Sequence, residues 1–279
     1  MSEAFDVARF AELRRTAGAP TWAEPLHYSA ETGSTNDDAL AAARQGAPSG
    51  SVFLTEHQTQ GRGRRGRRWL AASGQSLLFS VLLRPSGIPH AAAPAGTGAL
   101  TLAVGLGVRA ALAGHSMPPL SVKWPNDVLS GRRKLAGILC ESQLRGARVD
   151  AIVLGVGINV GRQAFPPELS GDVTCLEELA GHTLAREPLL ACVLTQIERR
   201  VADAERADWA ELLEEFRQHD ALRDQPVYVS GTREMSGVAR GVDSEGRLLV
   251  ETDGVVVAVH SGTVRLASPA PVRPNGWGS

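Results

Sequence analysis

The chain has 279 residues, 43% of them hydrophobic, and a formal net charge of −1. That length supports one large domain with a small companion, and the balanced charge supplies no global field toward nucleic acid or a membrane surface. Its three cysteines, Cys140, Cys175 and Cys192, form no CxxC pair, which fits reduced cytoplasmic thiols better than a disulfide framework or a zinc site.

Residues 6–17 read as a short helix ended by Gly18 and Pro20. Acids, not a basic run, precede its first apolar positions, so no signal peptide is expected. A strand follows over Leu26–Thr32, then a helix from about Asn36 to Gln45 with Ser34 or Thr35 as N-cap, Asp37 and Asp38 in its first turn and Gly46 at its end. Val52–Gln58 and Ser76–Arg84 are apolar, partly β-branched runs of strand length. The uncharged run from His90 to Val108 is rich in Ala, Gly and Thr and contains Pro94. It predicts a core helix over 96–113, not a membrane span, which takes about 20 strongly apolar residues. Val122–Trp124 reads as a short strand stopped by Pro125, and Lys134–Gln143 and Arg148–Asn159 as adjacent strands joined at Arg145-Gly146. Helices are expected over 187–204 and 208–218 from apolar i, i+3, i+4 spacing.

After Pro226 five short β runs (227–230, 236–242, 248–252, 255–260 and 263–266) are separated by glycine turns, including Asp253-Gly254. They predict a small SH3-like barrel. The tail from Ser268, with its prolines and glycines, is expected to be disordered. The fold class is therefore α+β, a mixed sheet with flanking helices followed by the barrel. The divisions fall at residues 1–24, 25–222, 223–267 and 268–279.

Four segments stand out for their chemistry. Gly33-Ser34-Thr35-Asn36, at a strand-to-helix junction, reads first as an N-cap, although the same groups can bind a polar ligand head. In His57–Trp69, five arginines fall within seven residues among glycines. Such a loop is either solvated or bound to an anion. Guanidinium forks, glycine access and a closing tryptophan favour a phosphate-bearing ligand, while the Walker spacing is absent. The third segment, Lys123-Trp124-Pro125-Asn126-Asp127 followed by Arg133–Leu139, is the most specific, because Lys134 heads an apolar strand where a bare ammonium is costly without an anion. Only two of the 29 basic residues are lysine, Lys123 and Lys134. The fourth, Gly155-Val156-Gly157-Ile158-Asn159, lacks the full dinucleotide fingerprint, and its glycines predict a ligand lying against a strand. The seven histidines, among them His57, His90 and His115, form no catalytic constellation.

In this order and spacing, G-S-T-N, Q-x-x-G-R-G-R-R-G-R-x-W, K-W-P-N-D, R-K-L-A-G-I-L and G-x-G-I-N closely resemble the biotin–protein ligases, over roughly residues 26–266. The resemblance implies activation of biotin with ATP and Mg²⁺ to biotinyl-5′-AMP, then transfer to a lysine of a biotin carboxyl carrier domain. It implies that Ser34, Thr35 and Gln58, with Asn36 and Gly61 beside them, bind the ureido head. It places Arg62, Gly63 and Arg64 at the carboxyl group and α-phosphate, and Lys134, beside Gly137, at the carboxylate and the developing adenylate. Trp69 and Asn126 are implied at adenine, Asn159 near the adenylate, and Asp127 beside magnesium, with no metal fixed by the protein alone. Repressor-type members carry an N-terminal winged helix. With about 25 residues before the first strand, a monofunctional ligase without specific DNA binding is expected. The nearest rival is a lipoate or octanoate ligase or transferase, which shares the catalytic fold. A nucleic-acid binder using the arginine loop is the more distant one, and would show strongly salt-dependent binding without ATP use.

Overall fold

Alternating apolar runs and glycine-punctuated turns build two sheets. The computed structural model describes residues 3–16, 22–84, 96–114, 117–146, 148–205, 209–231 and 234–266. The expected terminators Gly18 and Pro20, the histidines His90 and His115, and the tail from Ser268 lie outside them. The elements are α1 (Val7–Thr16), β1 (Leu26–Thr32), α2 (Thr35–Arg44), β2 (Val52–Gln58), β3 (Ser76–Leu83), α3 (Gly96–Leu112), β4 (Leu120–Lys123), β5 (Asp127–Ser130), β6 (Arg133–Arg145), β7 (Arg148–Asn159), α4 (Leu176–Ala180), α5 (Arg186–Glu205), α6 (Trp209–His219), β8 (Pro226–Ser230), β9 (Met235–Val242), β10 (Leu248–Thr252), β11 (Val255–Val259) and β12 (Thr263–Leu266).

The first sheet runs β1-β2-β3-β7-β6-β5-β4, with β1 parallel to β2 and the other pairs antiparallel. Its two faces follow the period-2 alternation of side chains. Leu77, Phe79 and Val81 of β3 and Leu154, Val156 and Ile158 of β7 face the main core with α3 and α5. Gly107 of α3 lies so close to α5 that an added Cβ would come 2.8 Å from Ile197 Cα. On the other face α2 covers only part of the sheet, packing Ala39 and Ala43 on Phe53, Leu82, Ala151 and Val153. The uncovered part of this face becomes the floor of the site.

The N-terminal segment is fastened by buried polar contacts. The Phe5 amide donates to Glu56 Oε1, Arg186 pairs with Glu56, and Arg14 donates to the Trp22 carbonyl. The C-terminal strands form a separate antiparallel sheet, β11-β10-β9-β8-β12, but they share a core with the larger domain. Trp124, Val122, Ala103, Leu106 and Phe216 cluster with Val227, Val229, Leu248 and Val250. Trp124 Nε1 donates to the Gly246 carbonyl at 2.8 Å in this buried seam.

Two elements depart from the sequence expectation. The segment after Asn126 forms β5, hairpinned to β4 with Lys123 opposite Asp127, so Trp124, Pro125 and Asn126 make the turn and Asp127 already belongs to a strand. A short α4 also forms where none was expected, anchored by buried Leu176.

Candidate active site

All the expected site residues except Gly61 line one cavity of about 750 Å³, on the sheet face that α2 leaves open. This size suits a small organic ligand. Gly61 is buried and does not line it, and a Cβ there would meet the Trp69 carbonyl at 2.8 Å.

One end of the cavity is built at the start of α2. Ser34 occupies the N-cap position with extended backbone, yet its hydroxyl makes no capping bond. The cap reading therefore fails for this hydroxyl, which is left facing the cavity. The Thr35 amide and hydroxyl both donate to Gln58 Oε1, at 2.9 and 3.3 Å. Ser80 Oγ, in the middle of apolar β3, reaches Thr35 Oγ1 at 2.7 Å and Asn36 Oδ1 at 2.6 Å. Asn36 Nδ2 donates to Glu141 Oε2 at 2.6 Å. Sequence reasoning missed Ser80 and Glu141. The signals were a lone serine inside a Leu/Phe/Val run, and an acid two and four positions beyond Leu139 and Gly137 on the same strand face.

The floor is a glycine pair. Gly137 of β6 and Gly157 of β7 sit opposite each other, and the Trp69 ring lies on both. Added Cβ atoms would come 2.9 and 2.5 Å from its ring carbons. Gly155, one site-facing position along, leaves room for the Asn36 amide. The strand glycines thus allow close approach by side chains of this chain, Trp69 and Asn36, where the sequence reading expected a ligand. Trp69 Nε1 is buried without a partner.

Beside the tryptophan stand the two lysines. Lys134 Nζ is 2.6 Å from Asp127 Oδ1 and 5.3 Å from the centre of the Trp69 ring. Its backbone is pinned from both sides: its amide donates to the Asp172 carbonyl and its carbonyl accepts from Thr174. Burial lowers the Lys123 pKa, against the pull of Asp127. Asn126 donates to the Ile138 carbonyl at 2.8 Å, and Asn159 to the Thr174 carbonyl at 3.1 Å, leaving Asn159 Oδ1 unpartnered.

The glycine–arginine loop covers this arrangement as a small hairpin, with Arg62 bridged to Arg68 and the Trp69 amide bonded to the Gly61 carbonyl. Its arginines divide their tasks. The Arg62 guanidinium forks onto Asp37 and also reaches Glu141 at 3.2 Å, tying the loop base to α2 and β6. Arg64 turns inward, and burial followed by the neighbouring charge of Arg65 lowers its pKa. Among the described residues no cluster of three side chains offers a metal site. Asp127 and Asp172 are the carboxylates in the cavity wall, a set suited to meeting a cation that arrives on a ligand.

A polar pocket at one end, a flat glycine floor and converging cations at the other match a carboxylate substrate joined to a nucleotide. The Biotin/lipoate A/B protein ligase family matches residues 29–159, and the Biotin protein ligase C terminal domain matches residues 224–266. The chain is 37% identical to the biotin--[acetyl-CoA-carboxylase] ligase of Mycobacterium tuberculosis, over 88% of this chain and 91% of that one. It is 33% identical to the bifunctional ligase/repressor BirA of Escherichia coli, over 79% and 67% respectively. Among solved structures, the biotin protein ligase from Aquifex aeolicus in complex with biotin and ATP superposes with a TM-score of 0.77 at 27% identity, covering 87% of this chain and 99% of that one. The chain belongs to the biotin–protein ligase family.

Proposed function

We propose that this protein activates biotin with ATP and transfers it to a lysine of a biotin carboxyl carrier domain. The observation that carries the reading is the convergence of Lys134, Asp127 and inward-facing Arg64 at the end of a glycine-floored slot whose far end is polar. A carboxylate oxygen of biotin attacks the α-phosphorus of ATP, and pyrophosphate leaves. Two anions must approach, so the work of the site is positioning and charge neutralisation. Lys134 and Arg64 supply the positive charge. Ser34, Thr35 and Gln58 take the ureido head, with Ser80 behind them in contact with both Thr35 and Asn36. Trp69 and Asn126 flank adenine, and the free Asn159 Oδ1 serves the adenylate. Arg62 acts by fastening the loop to Asp37, which leaves the carboxylate to its neighbours. Asp127 would face a magnesium ion held by the ATP phosphates, and the ion would neutralise charge on them. In the second step the carrier amine attacks the acyl carbon of the mixed anhydride and AMP leaves, under a loop that keeps water out.

The three free cysteines suit a reducing cytoplasm, and among the described residues no helix is long and apolar enough to cross a membrane. A net charge of −1 gives specific DNA no part in the reading. Biotin-dependent exchange of labelled pyrophosphate into ATP tests the function, with lipoate as competitor. Exchange with biotin alone is expected; exchange driven by lipoate and not by biotin overturns the reading.

A further inference from the structure

The tip of the glycine–arginine loop bends away from the cavity and touches the C-terminal sheet. At that tip Arg65 has φ 59° and ψ 41°, and Gly66 follows with φ 70°. The left-handed region is unfavourable for a side chain with a Cβ, and such a residue persists there only when its surroundings hold it. The consequence here is directional: Arg64 is half-buried and lines the cavity, while Arg65 stands exposed outside it. From there Arg65 Nη1 donates to the Ser230 carbonyl, the last residue of β8, at 2.9 Å. The guanidinium lies so tightly over Gly231 that a Cβ at that position would collide with it. Gly231 itself has φ 153°.

We propose that Arg65 is a positioning residue that latches the loop tip to the Ser230 carbonyl, so that the C-terminal sheet governs how long the loop stays shut over the activated intermediate. The loop needs such a restraint. The charges of Arg65 and Arg67 both disfavour that of Arg64 beside them, and like charges on a short glycine-rich tip favour its splaying. Arg62 and Asp37 fasten the base, on the larger domain. Arg65 fastens the tip, 165 residues away in sequence on the smaller one. A carbonyl acceptor is neutral and takes a directional bond from a guanidinium, so the latch orients the tip without neutralising the cation. Arg64, one residue away, is thereby kept facing inward.

The inference rests on the ligase reading, and its test separates the two. Arg65→Ala, Arg65→Lys and Gly231→Ala are compared with wild type in three measurements. These are amide hydrogen exchange of residues 60–69, biotin-dependent pyrophosphate exchange, and labelling of added albumin by released biotinyl-adenylate. Arg65→Ala should speed amide exchange in the loop with biotin and ATP present, and raise albumin labelling roughly three- to tenfold, the range for losing one hydrogen bond of ordinary net strength, to which solvent reduces this exposed charged one. Arg65→Lys should recover part of the loss. Gly231→Ala attacks the same contact from the other domain, so the double variant with Arg65→Ala should be no worse than the poorer single one. Unchanged loop protection in Arg65→Ala, or full additivity in the double variant, overturns the latch. Loss of loop protection in a wild-type background that shows no biotin-dependent exchange would instead overturn the ligase reading while leaving the contact standing.

Discussion

Replacing Lys134 with alanine removes the one ammonium that stands both against Asp127 and beside the Trp69 ring. Its side chain is 31% exposed, so the substitution opens no deep cavity. The backbone at this position is held by the Asp172 carbonyl and the Thr174 amide, neither of which needs the side chain. The fold should survive with a stability change within about 1 kcal/mol. The chemistry should not. A unit charge about 4 Å from an anionic oxygen contributes on the order of 4 kcal/mol at an effective dielectric constant of 20. If that attraction is gained chiefly as the carboxylate and α-phosphate close on each other, its loss slows adenylation roughly a thousandfold. Lys123 is the only other lysine and faces Asp127 from β4, so it is no substitute at the same point. Single-turnover formation of biotinyl-adenylate, followed by quenched chromatography, reads the step directly. A folded Lys134→Ala variant, verified by circular dichroism, that forms adenylate within about threefold of wild type would refute the electrostatic assignment.

Arg64→Gly should leave adenylate synthesis measurable but release the intermediate roughly ten- to a hundredfold faster, the equivalent of about 1.5–3 kcal/mol of charge-assisted bonding; unlabelled albumin despite confirmed synthesis would rule that role out. The protein itself should label weakly, because its only side-chain amines are Lys123 and Lys134, and mass spectrometry of its peptides checks this. Asp220, at the end of α6, has one carboxylate oxygen buried without a partner, and burial pushes its pKa up to about 6 from 3.8. A carboxyl whose pKa is raised on folding costs nothing below the unfolded value, and its penalty grows as pH rises from about 4 to about 6. Asp220→Asn keeps an oxygen for the Leu222 amide and should therefore gain about 2–3 kcal/mol at pH 8 and little at pH 4. Urea titrations at both values decide it, and equal gains at the two pH values would show that ionisation is not the cause.

Local chemistry made most of the elements readable, and with them the part of the cavity wall that the four motif segments build; Phe165, Asp172, Gln225 and Arg265 line it from segments that carry no motif. Motifs such as Lys123–Asp127 and Arg133–Gly137 carry their cavity-lining groups within a few residues, and the period-2 alternation of β7 exposes Gly155, Gly157 and Asn159 to one face. What escaped reading depends on contacts distant in sequence. Nothing near Arg62 announces Asp37, 25 residues back, or Glu141, 79 residues on. Ser34 looked like a helix cap because its type suits one, and only the tertiary structure shows its hydroxyl unused for that purpose. β5 was hidden because four residues, beginning with Asp127 of the Pro-Asn-Asp motif itself, give too short a pattern to distinguish strand from loop. α4 was hidden for a similar reason, since five residues with one buried leucine carry no helical period.

The Trp124–Gly246 seam has a consequence for anyone who would dissect this protein. Cutting the chain near residue 223 would look natural from the sequence, but it would strip the cover from Trp124, Val122 and Leu222 and orphan an indole N–H that now donates to a carbonyl on the far side. The fragment left behind would expose an aromatic surface two residues from Asn126 and three from Asp127. Its expected behaviour is aggregation and a disordered nucleotide end, not an intact core lacking an accessory. The boundary near residue 223 divides the sequence without dividing the folding unit.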